Sequence, residues 1–365
     1  MFGGIFFNKK ILITGHTGFK GSWMVSWLKN LGPKKITGIS LNPPTIPSHF
    51  NSAKLYKGVN DLRVNLIDLN KVKKIIIKEK PDFVFHLAAK PLVKESYVDP
   101  VETWQTNMIG TINVLESLRC LKHKCNAIMI TSDKSYENKE WVWGYRENDR
   151  LGGKDPYSAS KSAAELAIKS YVSSFFSKKN NKIRIAVARA GNVIGGGDWS
   201  ADRIVPDCIK AWSKNKKVKL RNPLSTRPWQ HVIEPISGYL QLAKILDSNK
   251  KCHGEAFNFG PNFDEDRMVG QLVKDMSKHW VGSKWEYSSK NYKGPAEAKL
   301  LRLNCDKALG LLNWESAMNF SETMKLTIDW YKNYYKKQIP ISEMTKNQIE
   351  YYCKIAKKKK LVWTK

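Results

Sequence analysis

The 365-residue sequence lacks any run of about 18 uninterrupted apolar residues, the length at which a membrane-spanning helix becomes a candidate. The N-terminal MFGGIFFNKK is also too short for the apolar region of a signal peptide, so we expect a cytoplasmic protein. The six cysteines are scattered, without CxxC or Cys/His ligand spacing. Their spacing predicts reduced thiols and no metal site.

Acidic residues are scarce. The chain has 33 Asp and Glu against 62 Lys and Arg, which gives a formal net charge of +29. Such a charge could serve a nucleic acid, a membrane surface or an anionic small molecule. The lysines are dispersed, except for AKKKKLVWTK at the end, and no nucleic-acid motif is present. Dispersed charge is typical of a solvated surface, so we expect neither a nucleic-acid nor a membrane partner.

Short apolar segments alternate with segments of helical periodicity in the first half of the chain. The apolar segments are nearly continuous, as in parallel strands buried on both faces. They are residues 10–14, 35–41, 83–88, 127–132 and 183–190, and the helical segments are 21–32, 70–80, 100–121 and 156–176. This alternation predicts an α/β fold with a Rossmann-type, doubly wound parallel sheet.

The composition changes after about residue 195, where Pro, Trp and Arg become more frequent before a strand-like EAFNFG. We therefore predict a Rossmann domain over residues 1–195 and a smaller substrate-binding region over 196–340, interleaved with the last strands of the sheet. Residues 341–365 are predicted to form a basic C-terminal tail.

Three glycines, Gly15, Gly18 and Gly21, form a GxxGxxG motif between the first strand and the first helix. Glycine permits a tight turn and lets a pyrophosphate approach the free N–H groups of the helix. The motif at this junction predicts a dinucleotide site. Near the end of the second strand, Asn42 stands where a carboxylate would bind the adenosine ribose. An amide does not repel a 2′-phosphate, so the preference for NAD over NADP is weaker than a carboxylate would give.

The segment DPYSASK places Tyr157 and Lys161 on one face of a predicted helix. A phenol has an ordinary pKa of about 10 and is a weak base near neutral pH. We expect the Lys161 ammonium to stabilise the phenolate and lower the pKa of Tyr157. Ser132, at the end of strand 127–132, completes a Ser–Tyr–Lys set that can polarise an alcohol during hydride transfer.

With these motifs the chain resembles the extended short-chain dehydrogenase/reductases that act on nucleotide sugars, and among them the CDP-glucose 4,6-dehydratase subfamily. The resemblance is carried by TGHTGFKGSW, HLAAKPLV, TNMIGTINVLE, DPYSASK, ARAGNVIGGGDW and RPWQHVIEP, over about residues 11–240, and EAFNFGP extends it to about 261. The segment TSDKSYENKEWVWGYRE separates this subfamily from its dTDP-glucose and GDP-mannose relatives.

The resemblance implies NAD as a tightly held cofactor and an anionic nucleotide sugar, CDP-glucose, as substrate. The residues that it assigns to NAD are Gly15, Thr17, Gly18, Phe19, Gly21, Asn42, Asn65, Leu66, Leu87, Ala88, Ala89, Asn107, Tyr157 and Lys161. The residues that it assigns to the substrate are Pro91, Asn192, Arg203, Arg227 and His231. Arginine matches phosphate geometry, although each of these cations could instead join elements through a salt bridge. Trp141 and Trp143 could form a sugar or cytosine wall, or pack in the core.

The implied reaction is an internal redox cycle that yields CDP-4-dehydro-6-deoxy-D-glucose, a precursor of deoxysugars in surface polysaccharides. Tyr157 and Ser132 serve the oxidation at carbon 4. Asp133 is the expected acid for water loss, a role that requires a neutral carboxyl group. Lys134 stands where the dTDP-sugar relatives place a glutamate base. Two roles remain open for Lys134: base for carbon 5, or cation that stabilises the enolate.

Other functions remain open at this point. A nucleotide-sugar epimerase, or a 4,6-dehydratase for another NDP-hexose, would share the glycine motif and the Ser–Tyr–Lys set. A catalytically inactive module that binds RNA or an acidic polymer is disfavoured by the intact set.

The helices predicted at 100–121 and 156–176 carry apolar residues on more than one face and resemble a pair that relatives join into a four-helix bundle. We therefore expect a homodimer.

Overall fold

The computed structural model describes residues 1–178, 180–220, 222–262, 267–287 and 300–365. The strands are β1 (Lys10–Thr14), β2 (Lys35–Ser40), β3 (Asn60–Arg63), β4 (Phe83–His86), β5 (Cys125–Ile130), β6 (Ile183–Ala190), β7 (Val193–Ile194), β8 (Val218–Leu220), β9 (Thr226–Arg227), β10 (Gln230–His231), β11 (Ala256–Phe259), β12 (Arg267–Met268) and β13 (Trp285–Tyr287). The helices are α1 (Phe19–Lys29), α2 (His49–Ser52), α3 (Leu69–Glu79), α4 (Val93–Val98), α5 (Pro100–Trp104), α6 (Gly110–Arg119), α7 (Pro156–Tyr171), α8 (Ile204–Trp212), α9 (Ile233–Ser248), α10 (Val269–Lys278), α11 (Asp306–Leu312), α12 (Phe320–Lys336) and α13 (Ile341–Lys358).

Seven parallel strands form the central sheet in the order β11-β6-β5-β4-β1-β2-β3. Strand β1 lies between β2 and β4, so the direction of winding reverses there. Sheets of this kind bind ligands in the crevice outside the carboxyl ends of the strands at that reversal. The order confirms the predicted Rossmann-type doubly wound fold.

Two apolar cores cover the two faces of the sheet, and the residues of β1 enter them alternately. Leu12 faces the core that contains Val72 of α3 and Val114 of α6. Ile11 and Ile13 face the other core, which contains the tryptophans of α1 and most of the apolar residues of α9. This alternation follows from the two-residue side-chain period of a strand. Burial on both faces explains the continuous apolar character of these strands.

The two long predicted helices are each interrupted. The segment predicted at 100–121 consists of α5, a π-helical turn at Gln105–Ile109 and α6. The segment predicted at 156–176 consists of α7 and a π-helical turn at Val172–Phe176. The first predicted helix ends at Lys29 rather than at residue 32. Gly32, with φ +67°, lies in the following turn.

Residues 341–365, expected as a basic tail, form α13 and a final turn. Ile349 and Tyr352 are buried, and α13 packs against α1 and α12. Near the end of the chain, Trp363 stacks on Phe2 and on Tyr352, with ring centroids 5.3 and 5.4 Å apart. The charge of this segment is therefore carried by a folded element. Nowhere in the part of the chain that the structure describes is a helix long and apolar enough to cross a membrane.

Candidate active site

The glycine-rich turn is shaped by close backbone approaches. Gly15 has φ +74°, and a Cβ atom there would lie 2.7 Å from the backbone of Ala88. A Cβ atom on Gly21 would lie 2.1 Å from the Gly15 carbonyl oxygen. Gly18 is the N-cap of α1, which has no side-chain cap and no acidic residue in its first turn. The N–H groups of that turn are therefore available to an anion.

The other residues predicted to hold a cofactor lie along the same edge of the sheet. Thr17 Oγ1 shares a hydrogen bond of 2.7 Å with Ser40 Oγ, which joins the glycine turn to the end of β2. After β4, the backbone N–H groups of Leu87 and Ala88 donate to Thr14. The remaining members lie around this crevice: Phe19 begins α1, Asn42 and Asn65 are exposed after β2 and β3, Leu66 is buried beside α6, and Ala89 is half-buried after β4.

Asn107 holds a loop of the site in place through its buried side chain. Its Oδ1 accepts from the Lys90 N–H at 2.9 Å, and its Nδ2 donates to the Lys90 carbonyl and to Ser160 Oγ. The amide thus joins the loop that carries the exposed Pro91 to α7. These hydrogen bonds are made within the protein, so Asn107 positions the loop, and its contact with NAD stays a prediction.

The predicted catalytic residues meet where β5 ends. Ser132 Oγ donates to Asp133 Oδ1 at 2.9 Å and accepts from the Lys134 N–H at 3.2 Å. Ser132 also interacts with Tyr157 and favours its phenolate, so the two side chains are neighbours. Exposed fractions are 6% for Ser132, 2% for Asp133 and 7% for Tyr157. Lys161 is also buried, whereas Lys134 is only partly buried.

Helix α7 is fixed by its own cap and by the turn that it faces. Asp155 caps it by accepting from the Ser158 N–H at 2.9 Å. Ser162 Oγ donates to the Ser135 carbonyl at 2.7 Å, which ties the helix to the turn after β5. One turn beyond Lys161, Glu165 forms a buried bidentate ion pair with Arg189 of β6. These contacts set the position of Tyr157 relative to Ser132.

Burial is the largest influence on the pKa values of Tyr157 and Lys161. It raises the pKa of Tyr157 to about 12, against the interaction with Ser132 and the positive charge of Arg203. It lowers the pKa of Lys161 to about 8, against the negative charge of Glu165. The expected lowering of the Tyr157 pKa by Lys161 is therefore wrong. The groups that favour the phenolate are Ser132 and Arg203.

Two residues that were not predicted from the sequence also belong to this site. Lys20 Nζ donates to the Tyr239 hydroxyl at 3.1 Å. Burial lowers the pKa of Lys20 to about 7, helped by the charge of Arg203 and opposed by Asp133. Burial raises the pKa of Tyr239, and the charges of Tyr157 and Asp133 add to this effect. Lys20 follows Phe19 inside the glycine motif, which was a usable signal, whereas Tyr239 has no distinctive sequence context.

Two of the predicted substrate residues adjoin the turn at residues 132–135, which follows β5 and is called the catalytic turn below. Asn192 follows β6, and its carbonyl accepts from the Gln230 N–H at 3.2 Å. A Cβ atom on the preceding Gly191 would lie 3.2 Å from Asp133 Oδ2, so this segment borders the carboxylate. Arg203, the N-cap of α8, pairs with Asp198 at 2.8 Å.

Arg227 lies on β9. It stands directly opposite Arg267 of β12 in an antiparallel pair. Arg267 was not singled out in the sequence, because the pairing of these short strands is visible only in the fold.

His231 is a correction to the predicted substrate set. It is fully buried on β10, with its ring edge-on to Trp23 at 5.5 Å. Burial lowers its pKa to about 3, so the ring is neutral. A neutral ring in the core cannot attract a diphosphate. His231 therefore belongs to the packing between β10 and α1.

The two tryptophans after the catalytic turn are not in the core. Trp141 and Trp143 are 38% and 58% exposed. Trp141 stacks on Tyr145, which stacks in turn on Tyr136, with ring centroids 5.6 and 5.1 Å apart. Core packing is therefore wrong for this pair, and they form an exposed aromatic surface beside the catalytic turn.

A glycine turn at the switch point of a doubly wound sheet, with a buried Ser–Tyr–Lys set across the same crevice, defines a Rossmann-type short-chain dehydrogenase/reductase. The family model for GDP-mannose 4,6 dehydratase matches residues 12–327. A CDP-glucose 4,6-dehydratase from Salmonella typhimurium is 42% identical over 333 residues, which cover 89% of this chain and 91% of that protein. The chain therefore belongs to the GDP-mannose 4,6-dehydratase family of extended short-chain dehydrogenase/reductases, as the sequence motifs indicated.

Solved structures share this fold at low sequence identity. A UDP-glucuronic acid 4-epimerase from Bacillus cereus, in complex with UDP-glucuronic acid and NAD, superposes with a TM-score of 0.75 at 23% identity, covering 89% of this chain and 100% of that one. A dTDP-glucose 4,6-dehydratase from Bacillus anthracis, in complex with NAD, gives a TM-score of 0.73 at 20% identity, covering 91% and 99%.

Proposed function

We propose that the protein converts CDP-D-glucose to CDP-4-dehydro-6-deoxy-D-glucose and water, with NAD reduced and reoxidised in each turnover. The observation that carries the proposal is the 42% identity to a CDP-glucose 4,6-dehydratase over 89% of the chain. The buried hydrogen bond between Ser132 and Asp133 supports it, because it joins a group for alcohol oxidation to an acid for water loss. An epimerase has no need of that acid.

The crevice fits NAD, which would accept a hydride from carbon 4 of the sugar and return it to carbon 6. The uncapped turn at Gly18 would hold the pyrophosphate, and the missing side chains of Gly15 and Gly21 keep that space open. The exposed amides of Asn42 and Asn65 would bind the adenosine half. Lys161 would bind the nicotinamide ribose, and Thr17, Phe19, Leu66, Leu87, Ala88 and Ala89 would line the remaining surface.

In the first half-reaction Tyr157 takes the proton of the carbon 4 hydroxyl. Its phenolate is favoured by the interaction with Ser132 and by the charge of Arg203. The new ketone acidifies the hydrogen on carbon 5. In the second half-reaction Asp133 gives a proton to the departing carbon 6 hydroxyl. Lys134 acts either as the base for carbon 5 or as a cation beside the enolate.

The substrate diphosphate would be held by Arg203 and by the opposed pair of Arg227 and Arg267. Asn192 and Pro91 would flank the sugar. Trp141 and Trp143 offer an exposed aromatic surface, on which the cytosine ring can stack. His231 is omitted from this set because it is buried and neutral.

A homodimer is part of the proposal. Exposed apolar side chains lie on the helices expected to form the four-helix bundle, among them Val101 and Trp104 of α5 and Leu166 of α7. An apolar surface of this kind is typical of a subunit interface. We also place the enzyme in the cytoplasm, where its six free thiols would stay reduced, in a pathway to deoxysugars of surface polysaccharides. Sedimentation analysis of the purified protein tests the dimer.

The experiment that tests the reaction is a panel of CDP-, dTDP-, GDP- and UDP-hexoses. We expect CDP-glucose to give the alkali absorbance of a 4-keto-6-deoxysugar and the other substrates to give little. An epimerised hexose without that absorbance would favour the epimerase, and turnover of another nucleotide would reassign the substrate. Retention of RNA at physiological salt would revive the binding module.

A further inference from the structure

The proton balance of the proposed reaction raises a question about Asp133. In each turnover Tyr157 gains the proton of the carbon 4 hydroxyl, and Asp133 loses a proton to the carbon 6 hydroxyl, which leaves as water. The proton removed from carbon 5 and the proton returned there cancel. The hydride given by carbon 4 and the hydride received by carbon 6 also cancel. The enzyme must therefore move one proton from Tyr157 to Asp133 for every molecule converted.

Ser132 lies beside both groups. Its Oγ donates to Asp133 Oδ1 at 2.9 Å, and its side chain is close enough to Tyr157 to favour the phenolate. A hydroxyl can accept one proton while it donates its own, so it can serve both neighbours at once. The Lys134 N–H, 3.2 Å from Ser132 Oγ, holds the serine in this position.

We propose that Ser132 passes the proton that Tyr157 takes from the carbon 4 hydroxyl on to Asp133, which then gives it to the departing carbon 6 hydroxyl. In this step the bond between hydrogen and the Tyr157 oxygen breaks as the proton passes to Ser132 Oγ, and the proton of Ser132 Oγ passes to Asp133 Oδ1. Ser132 ends unchanged, Tyr157 returns to the phenolate, and Asp133 becomes the neutral acid. The inference rests on the proposed dehydratase function and assigns Ser132 a role in both half-reactions.

Burial makes this internal route preferable to exchange with water. Ser132, Asp133 and Tyr157 are each less than a tenth exposed. The charged and titratable groups around them come from four elements: Lys20 of α1, Lys161 and the capping Asp155 of α7, Arg203 at the start of α8, and Tyr239 of α9. Lys20 donates a hydrogen bond to Tyr239, and this pair interacts electrostatically with Asp133.

The test is a single-turnover experiment on the NAD-loaded enzyme with CDP-glucose. The absorbance of the reduced cofactor rises as carbon 4 is oxidised and falls after water is lost. In the wild type we expect the fall to be independent of buffer concentration at fixed pH and ionic strength. In Ser132→Ala the proton must come from solution, so the fall should be slowed by about 10²-fold and should accelerate as imidazole is added.

Three variants separate the relay from a structural role. Ser132→Thr keeps the hydroxyl and should restore a rate that is independent of buffer. Asp133→Asn lacks the acid, so imidazole should not rescue it. Ser135→Ala is the matched control: this neighbouring hydroxyl is buried and lacks a hydrogen-bond partner among the described residues, and its removal should leave the kinetics unchanged.

The outcomes distinguish the relay from the proposed function. If the wild type does not convert CDP-glucose, the dehydratase assignment fails. If it does, and Ser132→Ala is either near wild type or slow but insensitive to imidazole, the relay alone is overturned. Should oxidation be too slow in Ser132→Ala, CDP-4-dehydro-glucose added to the NADH-loaded variant enters at the second half-reaction, and the same two results decide the matter.

Discussion

Tyr157 is held by opposing influences on one hydroxyl. Burial raises its pKa to about 12, whereas the interaction with Ser132 and the charge of Arg203 favour the phenolate. With a pKa of about 12, the Tyr157 phenol is protonated at neutral pH. The bound substrate must therefore supply the remaining stabilisation of the phenolate. This order suits the reaction, since the base is needed only once the carbon 4 hydroxyl is in place.

Replacing Tyr157 with Phe removes this base and little else. We expect turnover of CDP-glucose to fall by about 10²–10⁴-fold, the usual contribution of general acid–base catalysis. Binding of NAD, followed as a thermal shift, should persist because the phenylalanine ring fills the same space. Tyr171→Phe, at the other end of α7, is the control and should keep its activity. Near-normal turnover in Tyr157→Phe would rule out the catalytic assignment.

Lys134 acts after carbon 4 is oxidised, whichever of its two roles holds. Lys134→Met should therefore still reduce the cofactor with CDP-glucose but accumulate the reduced form, because water loss is slowed. Solvent deuterium incorporation at carbon 5, read by NMR, separates the roles: loss of incorporation identifies the base, and persistence identifies the electrostatic role. The exposed Lys139→Met is the matched control. A variant that completes the cycle at the wild-type rate would exclude both roles.

At the scale of elements, the junction between β1 and α1 determines where a cofactor can lie. The helix starts without a side-chain cap, and two glycines let the turn approach β4 and α1 closely. Glycine spacing predicts this element because all three glycines of the motif lie in one short segment of the chain. The opposed arginines of β9 and β12 were not predictable in the same way, because the two short strands lie about 40 residues apart in the chain.

Gly21→Ala tests the glycine-rich turn between β1 and α1. The added Cβ atom would lie 2.1 Å from the Gly15 carbonyl oxygen, so α1 must shift away from the turn. We expect NAD affinity to fall by at least about tenfold, equivalent to 1.4 kcal/mol, as measured by calorimetry. Gly310→Ala is the matched control, because this glycine of α11 has open space around its Cβ position. It should leave NAD affinity unchanged and stabilise the helix by about 0.5–1 kcal/mol.

The same contrast between local and distant information explains the other results of the sequence analysis. The Ser–Tyr–Lys set and the parallel strands follow from spacing and local pattern. The burial of His231 and the exposure of Trp141 do not, because an aromatic residue near a catalytic motif has the same sequence pattern whether it faces the core or the solvent. Likewise, the sequence showed that residues 341–365 are basic, but it did not show that α13 has an apolar face that packs on α1.

At the scale of the whole molecule, four histidines are buried in the described part of the chain, His16, His49, His86 and His231, and burial lowers the pKa of each. Burial lowers the pKa of His49, His86 and His231 to about 3 in each case. His49 bridges Ser22 of α1 and Thr345 of α13, so its hydrogen bonds connect the first helix to the C-terminal helix. Protonating these rings would place charges inside a protein whose formal charge is already +29.

Lowering the pH should therefore destabilise the fold already at pH values well above those at which carboxylates titrate. At His49, His86 and His231 the unfolded chain binds a proton below about pH 6.5, whereas the folded protein binds none until about pH 3. The free energy of unfolding is thus highest above pH 6.5 and falls below it, by about 1.4 kcal/mol per histidine per pH unit and about 4 kcal/mol per unit for the three together.

Urea unfolding at about pH 7.5, 6.5 and 5.5 measures this slope. His49→Gln should reduce the slope by about 1.4 kcal/mol per pH unit, whatever it does to stability at neutral pH, because it removes one histidine that the unfolded chain protonates and the folded chain does not. His279→Gln, on α10's C-terminal side, is the control and should leave the slope unchanged. Equal stability at the two ends of this pH range would show that the three rings are not held neutral by the fold, and would remove the argument for excluding His231 from the diphosphate site.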